Sequence, residues 1–201
     1  MNAFVVRYGT KPAEHTAERF ASWRSGRIVM IALKDILVAT DFGEASRQAL
    51  RYGAEFARAF GGRLHVLHVV EDIVLGTATA MGTPPLDMTS VQASLEQDAS
   101  RELQQILATD IPRDVEVVPV IIRDSQPGRG VLAYAREHKT DLLVIGTHGR
   151  AGLAEFFLGS VAQRIVRSAP CPVLTVRAHE REFLQPDPGL HVAAGVATGI
   201  R

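Results

Sequence analysis

The chain has a single cysteine, few aromatic side chains (6%) and no surplus of either charge, with 22 Lys+Arg against 22 Asp+Glu in 201 residues. Each shortage excludes something. Cys171 alone cannot close an intramolecular disulfide, so a reducing compartment is expected. It also excludes a zinc cluster built from cysteine pairs, and the seven histidines form no H-E-x-x-H sequence. Zero net charge supplies no broad basic field, so neither nucleic acid nor anionic membrane is expected as a partner. The run Ile28-Val29-Met30-Ile31-Ala32-Leu33 stops at Lys34-Asp35, far short of the roughly 20 apolar residues that span a bilayer. No apolar stretch of the secretory kind follows the basic N-terminal positions. Glu14 and Glu18 argue against a transit peptide there. A cytoplasmic protein is expected.

What is present suits one globular domain with tails, since 46% of residues are hydrophobic and 22% charged. Asp35 to Thr40 is a short apolar run suited to a strand covered on both faces. Ala45, Ala49, Tyr52, Phe56, Ala57 and Phe60 then recur at helical steps, and Gly61-Gly62 ends the helix. Leu64 to Val70 reads as a second strand. Residues 71–89 lack periodicity and read as a long loop. Val91, Leu95, Ala99, Leu103 and Ile106 mark a second amphipathic helix, stopped at Asp110-Ile111-Pro112. Val115 to Ile122 is a third strand, and Pro119 requires it to lie at an edge or carry a bulge. Pro127 opens a third helix, Asp141 to Ile145 is a fourth strand, Gly159-Ser160 opens a fourth helix, and Pro172 to Val176 is a fifth strand.

Strictly alternating strands and helices predict an α/β fold, an open five-stranded parallel sheet with helices on both faces. The domain is expected over 31–178. Residues 1–30 then form an N-terminal extension and 179–201 a tail, both loosely docked. Met30, directly before the first strand, suits a second translation start.

The most informative segment joins the fourth strand to the fourth helix and holds Gly146, Gly149, Gly152 and Gly159. Ligands of open α/β sheets bind at that edge, and a helix N-terminus offers unpaired N–H groups to an anion. The loop is not a Walker A sequence, because no lysine separates Gly159 from Ser160. Nor is it G-x-G-x-x-G, because Gly146 and Gly149 are three apart. Glycines serving a tight turn alone remain an alternative. Ser160 can cap the helix or donate to a phosphate, and Asp41 can cap the first helix or meet a ligand.

The spacing G-x2-G-x9-G-S/T, met by Gly146, Gly149, Gly159 and Ser160, resembles the ATP-binding branch of the universal stress protein family. Ile36-Leu37-Val38-Ala39-Thr40-Asp41-Phe42, Leu67-His68-Val69 and Ser168-Ala169-Pro170-Cys171-Pro172-Val173-Leu174 extend the resemblance over 31–178. It implies a Rossmann-like fold of the adenine nucleotide alpha hydrolase kind, with ATP as ligand and any Mg²⁺ or Mn²⁺ bound through the phosphates. It places Asp41 near the nucleoside with Ala39 and Thr40 beside it, and the Val69 backbone at the adenine. Ile145 and Gly146 would line the ribose and α-phosphate. Gly149, Gly159, Ser160 and Val161 would hold the phosphates, with Arg150 as a charged partner. It also implies a homodimer paired through the last strand. Two positions depart from the family pattern: Gly43 where serine is common, and Gly128-Arg129 where an acidic residue tends to follow the proline.

No catalytic residue is identified. Ser160 lacks a nucleophile elbow, and Glu155 reads as a solvated residue. His148 reads as a turn residue. His65 and His68, three apart on a strand, face opposite sides and cannot share one metal. Cys171 reads as a packed small hydrophobe. The expected function is ATP binding in a regulatory or stress-response module without fast turnover. The alternatives are a slow ATPase or autophosphorylating protein, and a dimeric interaction protein that acts without nucleotide.

Overall fold

A computed structural model of the chain describes residues 30–73, 88–147 and 158–178, together with Leu184. The elements in order are β1 (Asp35–Ala39), α1 (Glu44–Phe60), β2 (Arg63–Val70), α2 (Met88–Asp110), β3 (Glu116–Arg123), α3 (Pro127–Glu137), β4 (Leu142–Gly146), α4 (Ser160–Ser168) and β5 (Val173–Val176). All five strands are parallel, in the order β3-β2-β1-β4-β5. The alternating strands and helices therefore form the sheet expected of them. Among the described residues no helix is long and apolar enough to cross a membrane.

The strands read as unbroken apolar runs because both faces are covered. Ile36, Val38, Leu64, Val66 and Val144 point to one side and pack with Ala49 and Leu50 of α1 and Leu103 and Ile106 of α2. Leu37, Leu67, Leu143, Ile145 and Val173 point to the other, against Val131 and Ala135 of α3 and Ala162 and Ile165 of α4. The stop after α1 is a left-handed Gly61 at φ 62°, with Gly62 N–H donating to the Ala57 carbonyl at 2.9 Å. Pro119 lies on the edge strand β3, opposite Val66 in an uninterrupted register. Asp124 N–H donates to Val70 O at 3.1 Å, so alternation turns the missing donor of Pro119 outward, where no partner strand needs it.

One part of the expected core is different. Val91 and Leu95, assigned to the buried stripe of α2, are 43% and 41% exposed, and the buried residue of those turns is Gln92. Its Oε1 accepts the Ile73 N–H at 3.1 Å and its Nε2 donates to Glu96 Oε1 at 3.3 Å. A buried amide with both ends bonded anchors the entry to the 74–87 segment, which an apolar side chain there would leave unpaired. Phe60, at the end of the α1 stripe, is also exposed.

Candidate functional site at the carboxyl ends of β1 and β4

The strand order creates the site. From β1 the chain winds outward through β2 to β3, then returns to the other side of β1 as β4. The strands β1 and β4 are thus neighbours whose connections leave in opposite directions along the sheet, the arrangement at which open α/β sheets take ligands at the carboxyl edge. Asp41 lies on the first connection. The glycine loop is the second.

The β1–α1 turn is held by its own polar groups. Phe42 is buried at φ 66°, a left-handed conformation that a non-glycine residue adopts at a cost. Its N–H donates to Thr40 Oγ1 at 2.9 Å. Ser46 Oγ donates to the Gly43 carbonyl at 2.9 Å, so the Thr40 hydroxyl proton goes to Ser46 Oγ at 3.1 Å. The Thr40 hydroxyl is therefore buried inside the turn and shapes it. Asp41 is half-buried, and its Oδ1 accepts the Gly43 N–H at 3.0 Å. The N-cap of α1 is Gly43, without a side-chain bond. Of the two roles open to Asp41, helix N-cap is thus filled by another residue. A Cβ at Gly43 would sit 3.1 Å from Asp41 Oδ1, so the common serine would crowd this carboxylate.

At β4, Ile145 is 3% exposed, packed against the α3–α4 layer and paired with Ala39 of β1 and Thr175 of β5. Gly146 is required by packing. A Cβ there would lie 2.8 Å from Ala45 C and Ser46 N, so only glycine lets the start of α1 meet the end of β4. Thr147 N–H donates to Val176 O at 2.8 Å, and Thr147 O accepts the Gly159 N–H at 2.9 Å, tying the two ends of the loop together. Gly159 is the N-cap of α4, with no side-chain cap bond. Ser160, the first helical residue, is exposed and does not cap the helix, and Val161 is exposed as well. Gly149 and Arg150 lie outside the described residues, as do His148, Gly152 and Glu155.

Val69 and Ala39 are half-buried on the α3 side of the sheet. Gly130 of α3 comes so close to this layer that a Cβ would stand 2.9 Å from Ile122 Cδ1 and 3.5 Å from Val69 Cγ1. The neighbouring departure, Gly128, is explained by Arg164. That side chain lies across Gly128, where a Cβ would meet its Cδ at 3.0 Å, and reaches Gln126 Oε1 at 2.9 Å. Arg129 pairs with Asp124, whose carboxyl is held below the usual range by the Arg129 hydrogen bond against the opposing effect of burial.

The two strand histidines do face opposite sides. His65 is buried between Tyr134 OH at 2.9 Å and Asp35 Oδ1 at 3.2 Å, at the amino end of the sheet. His68 stacks on Phe42 with ring centroids 4.3 Å apart, and its Nδ1 lies 2.8 Å from the Thr40 carbonyl. Sequence reasoning missed this second contact, because neither residue signals it locally. Cys171 packs against the α3–α4 layer, and burial, reinforced by the Asp141 charge, pushes its thiol up to about 11. No group of three or more His, Cys, Asp or Glu that could hold a metal ion occurs among the described residues.

A family model described as the universal stress protein family matches residues 32–177. The chain belongs to that family. A universal stress protein of Thermus aquaticus is 31% identical over 144 residues, covering 72% of this chain and 98% of the relative. The fold agrees with that of MJ0577, named as a hypothetical protein, at a TM-score of 0.62 and 22% identity, covering 76% of this chain and 100% of the other. It also agrees with a universal stress protein family member from Burkholderia pseudomallei, at a TM-score of 0.55 and 28% identity, covering 72% and 96%.

Proposed function

We propose that this family member binds ATP in the crevice between β1 and β4 and serves as a nucleotide-dependent regulatory module without fast turnover, within a domain of residues 31–178. The observation that carries the reading is Gly159. Its φ of −57° is open to any residue, and among the described residues a Cβ would meet Thr147 O, at an ordinary 3.4 Å. The described fold does not demand glycine there. A phosphate does, because it must approach the first N–H groups of α4, which no side chain caps.

In this reading Gly149, Gly159, Ser160 and Val161 hold the phosphates, with Arg150 as their charged partner and any Mg²⁺ or Mn²⁺ entering on the phosphates. Ile145 and Gly146 line the ribose and α-phosphate. Asp41 meets the nucleoside from a turn shaped by Ala39 and Thr40, and the Val69 backbone meets adenine. Titration calorimetry of nucleotide-free protein tests this. ATP should bind to wild type, and Gly159→Val should weaken binding about a hundredfold or more while unfolding within about 1 kcal/mol of wild type. No ATP binding with or without Mg²⁺ removes the reading. Phosphate release well above that of a Gly149→Val chain would make the protein a slow ATPase instead.

The homodimer belongs to the same proposal. Among the described residues β5 is the last strand of the sheet, an edge that a second copy can extend across a two-fold axis. Sedimentation as monomer alone at micromolar concentration would remove it.

A further inference from the structure

The ladder between β1 and β2 stops one rung early. Thr40 N–H still donates to Leu67 O at 2.9 Å, yet the paired register ends at Ala39 and Leu67. In a continued parallel ladder the next bond would run from Val69 N–H to the Thr40 carbonyl. That carbonyl instead has the His68 ring against it, with Nδ1 at 2.8 Å. A carbonyl only accepts, so Nδ1 carries the proton and the tautomer is fixed by the contact. The ring is itself held in place by its stack on Phe42, the residue at φ 66°. Alternation along β2 aims the Val69 N–H and carbonyl toward β1, past its last residue.

We propose that His68 is a positioning residue that sets nucleobase specificity. By holding the Thr40 carbonyl it keeps the Val69 backbone out of the ladder and presents it to the base, and it fixes the peptide from which Asp41 projects. The inference rests on the ATP reading above and deepens it. A base such as adenine, with an acceptor ring nitrogen beside an amino donor, complements a strand N–H and carbonyl. Guanine presents a different donor and acceptor order along the same edge. Apart from its N–H on Leu67 O, the other contacts of Thr40 are to its own turn, so His68 is the side chain through which β2 holds the carbonyl at the end of β1.

The experiment compares ATP and GTP binding to the full chain and two variants by titration calorimetry, with thermal denaturation of each. Wild type should prefer ATP. His68→Phe keeps a ring on Phe42 and removes the donor. It should weaken ATP about tenfold and change GTP less than about twofold, so the preference collapses. His68→Asn places an amide nitrogen where Nδ1 stands and should restore the preference to within about threefold of wild type. A purely structural role would lower Tm and weaken both nucleotides together without altering their ratio, and that result overturns the inference. So does a His68→Phe chain that still prefers ATP, an Asn variant as undiscriminating as Phe, or a wild type that binds both nucleotides equally. A folded wild type that binds neither overturns the ATP reading, and this inference with it.

Discussion

The two ends of the sheet treat polar groups in opposite ways. At the amino end they satisfy one another. Asp141 Oδ2 accepts the Lys34 and Asp35 N–H groups at 2.8 and 3.1 Å, joining the start of β4 to the start of β1. Asp35 Oδ1 in turn accepts from Arg63 at 2.6 Å and from His65 Nε2 at 3.2 Å. A carboxylate only accepts, so Nε2 donates to it, while Nδ1 lies against Tyr134 OH at 2.9 Å. Burial raises the Tyr134 phenol, chiefly by desolvation, and His138 stacks over its ring at 3.9 Å. At the carboxyl end α1, α3 and α4 all open without a side-chain cap, from Gly43, Gln126 and Gly159. One end consumes its donors within the protein. At the other, the cap residues of these helices add no side-chain bond of their own, and there the chain tolerates a left-handed Phe42.

Three substitutions put this division to the test. Gly146→Ala should have the largest effect, because fold and site coincide there. The obstructing atoms belong to the α1 backbone and cannot rotate away, so urea denaturation should register a loss of about 1–3 kcal/mol, with ATP affinity falling as well. Unchanged stability would show that α1 shifts freely at this contact. Asp141→Ala comes next. It removes the acceptor of two N–H groups at the amino end and should cost about 1–2 kcal/mol in urea denaturation, with ATP affinity within about twofold of wild type. A matching loss of affinity would break the division between the ends.

The smallest effect concerns the pair between Asp124 and Arg129. Arg129 depresses the Asp124 carboxyl below 3.8 in the folded chain. Such a group adds stability that is fully present above its unfolded value and is lost as pH falls through the lower folded value. The urea midpoints of wild type and Arg129→Gln should therefore differ slightly at pH 6 and converge in the acid range below about 3.8. The exposure of the arginine keeps the difference small. Midpoints that diverge on acidification would reverse the assigned sign.

Much of the fold was legible because its causes are local. Two-sided burial makes each strand a short apolar run, Gly61 can take a left-handed φ, and Pro127 suits a first helical turn. Pro119 announced an edge strand or a bulge, since it lacks a donor, and the structure has the edge. The stripe of α2 misled because periodicity ranks side chains by polarity. The amide of Gln92 is buried to bond Ile73, and only contact shows that. At the site, the spacing of Gly146 and Gly159 was readable, while their different duties were not. Gly146 makes room for the α1 backbone. Gly159 has no such neighbour among the described residues.

By itself the sequence determined the order and type of the elements, the absence of a charge field for polyanions, and a glycine-bearing turn ahead of α4. These follow from composition and from periodicities that each segment carries alone. Strand order was decided only in three dimensions, because pairing β1 with both β2 and β4 is a choice among distant partners. That choice sets β1, which leads to Asp41, directly beside β4, which leads to the glycine loop. It also brings His68 onto the Thr40 carbonyl, a contact across 28 positions for which no local pattern exists.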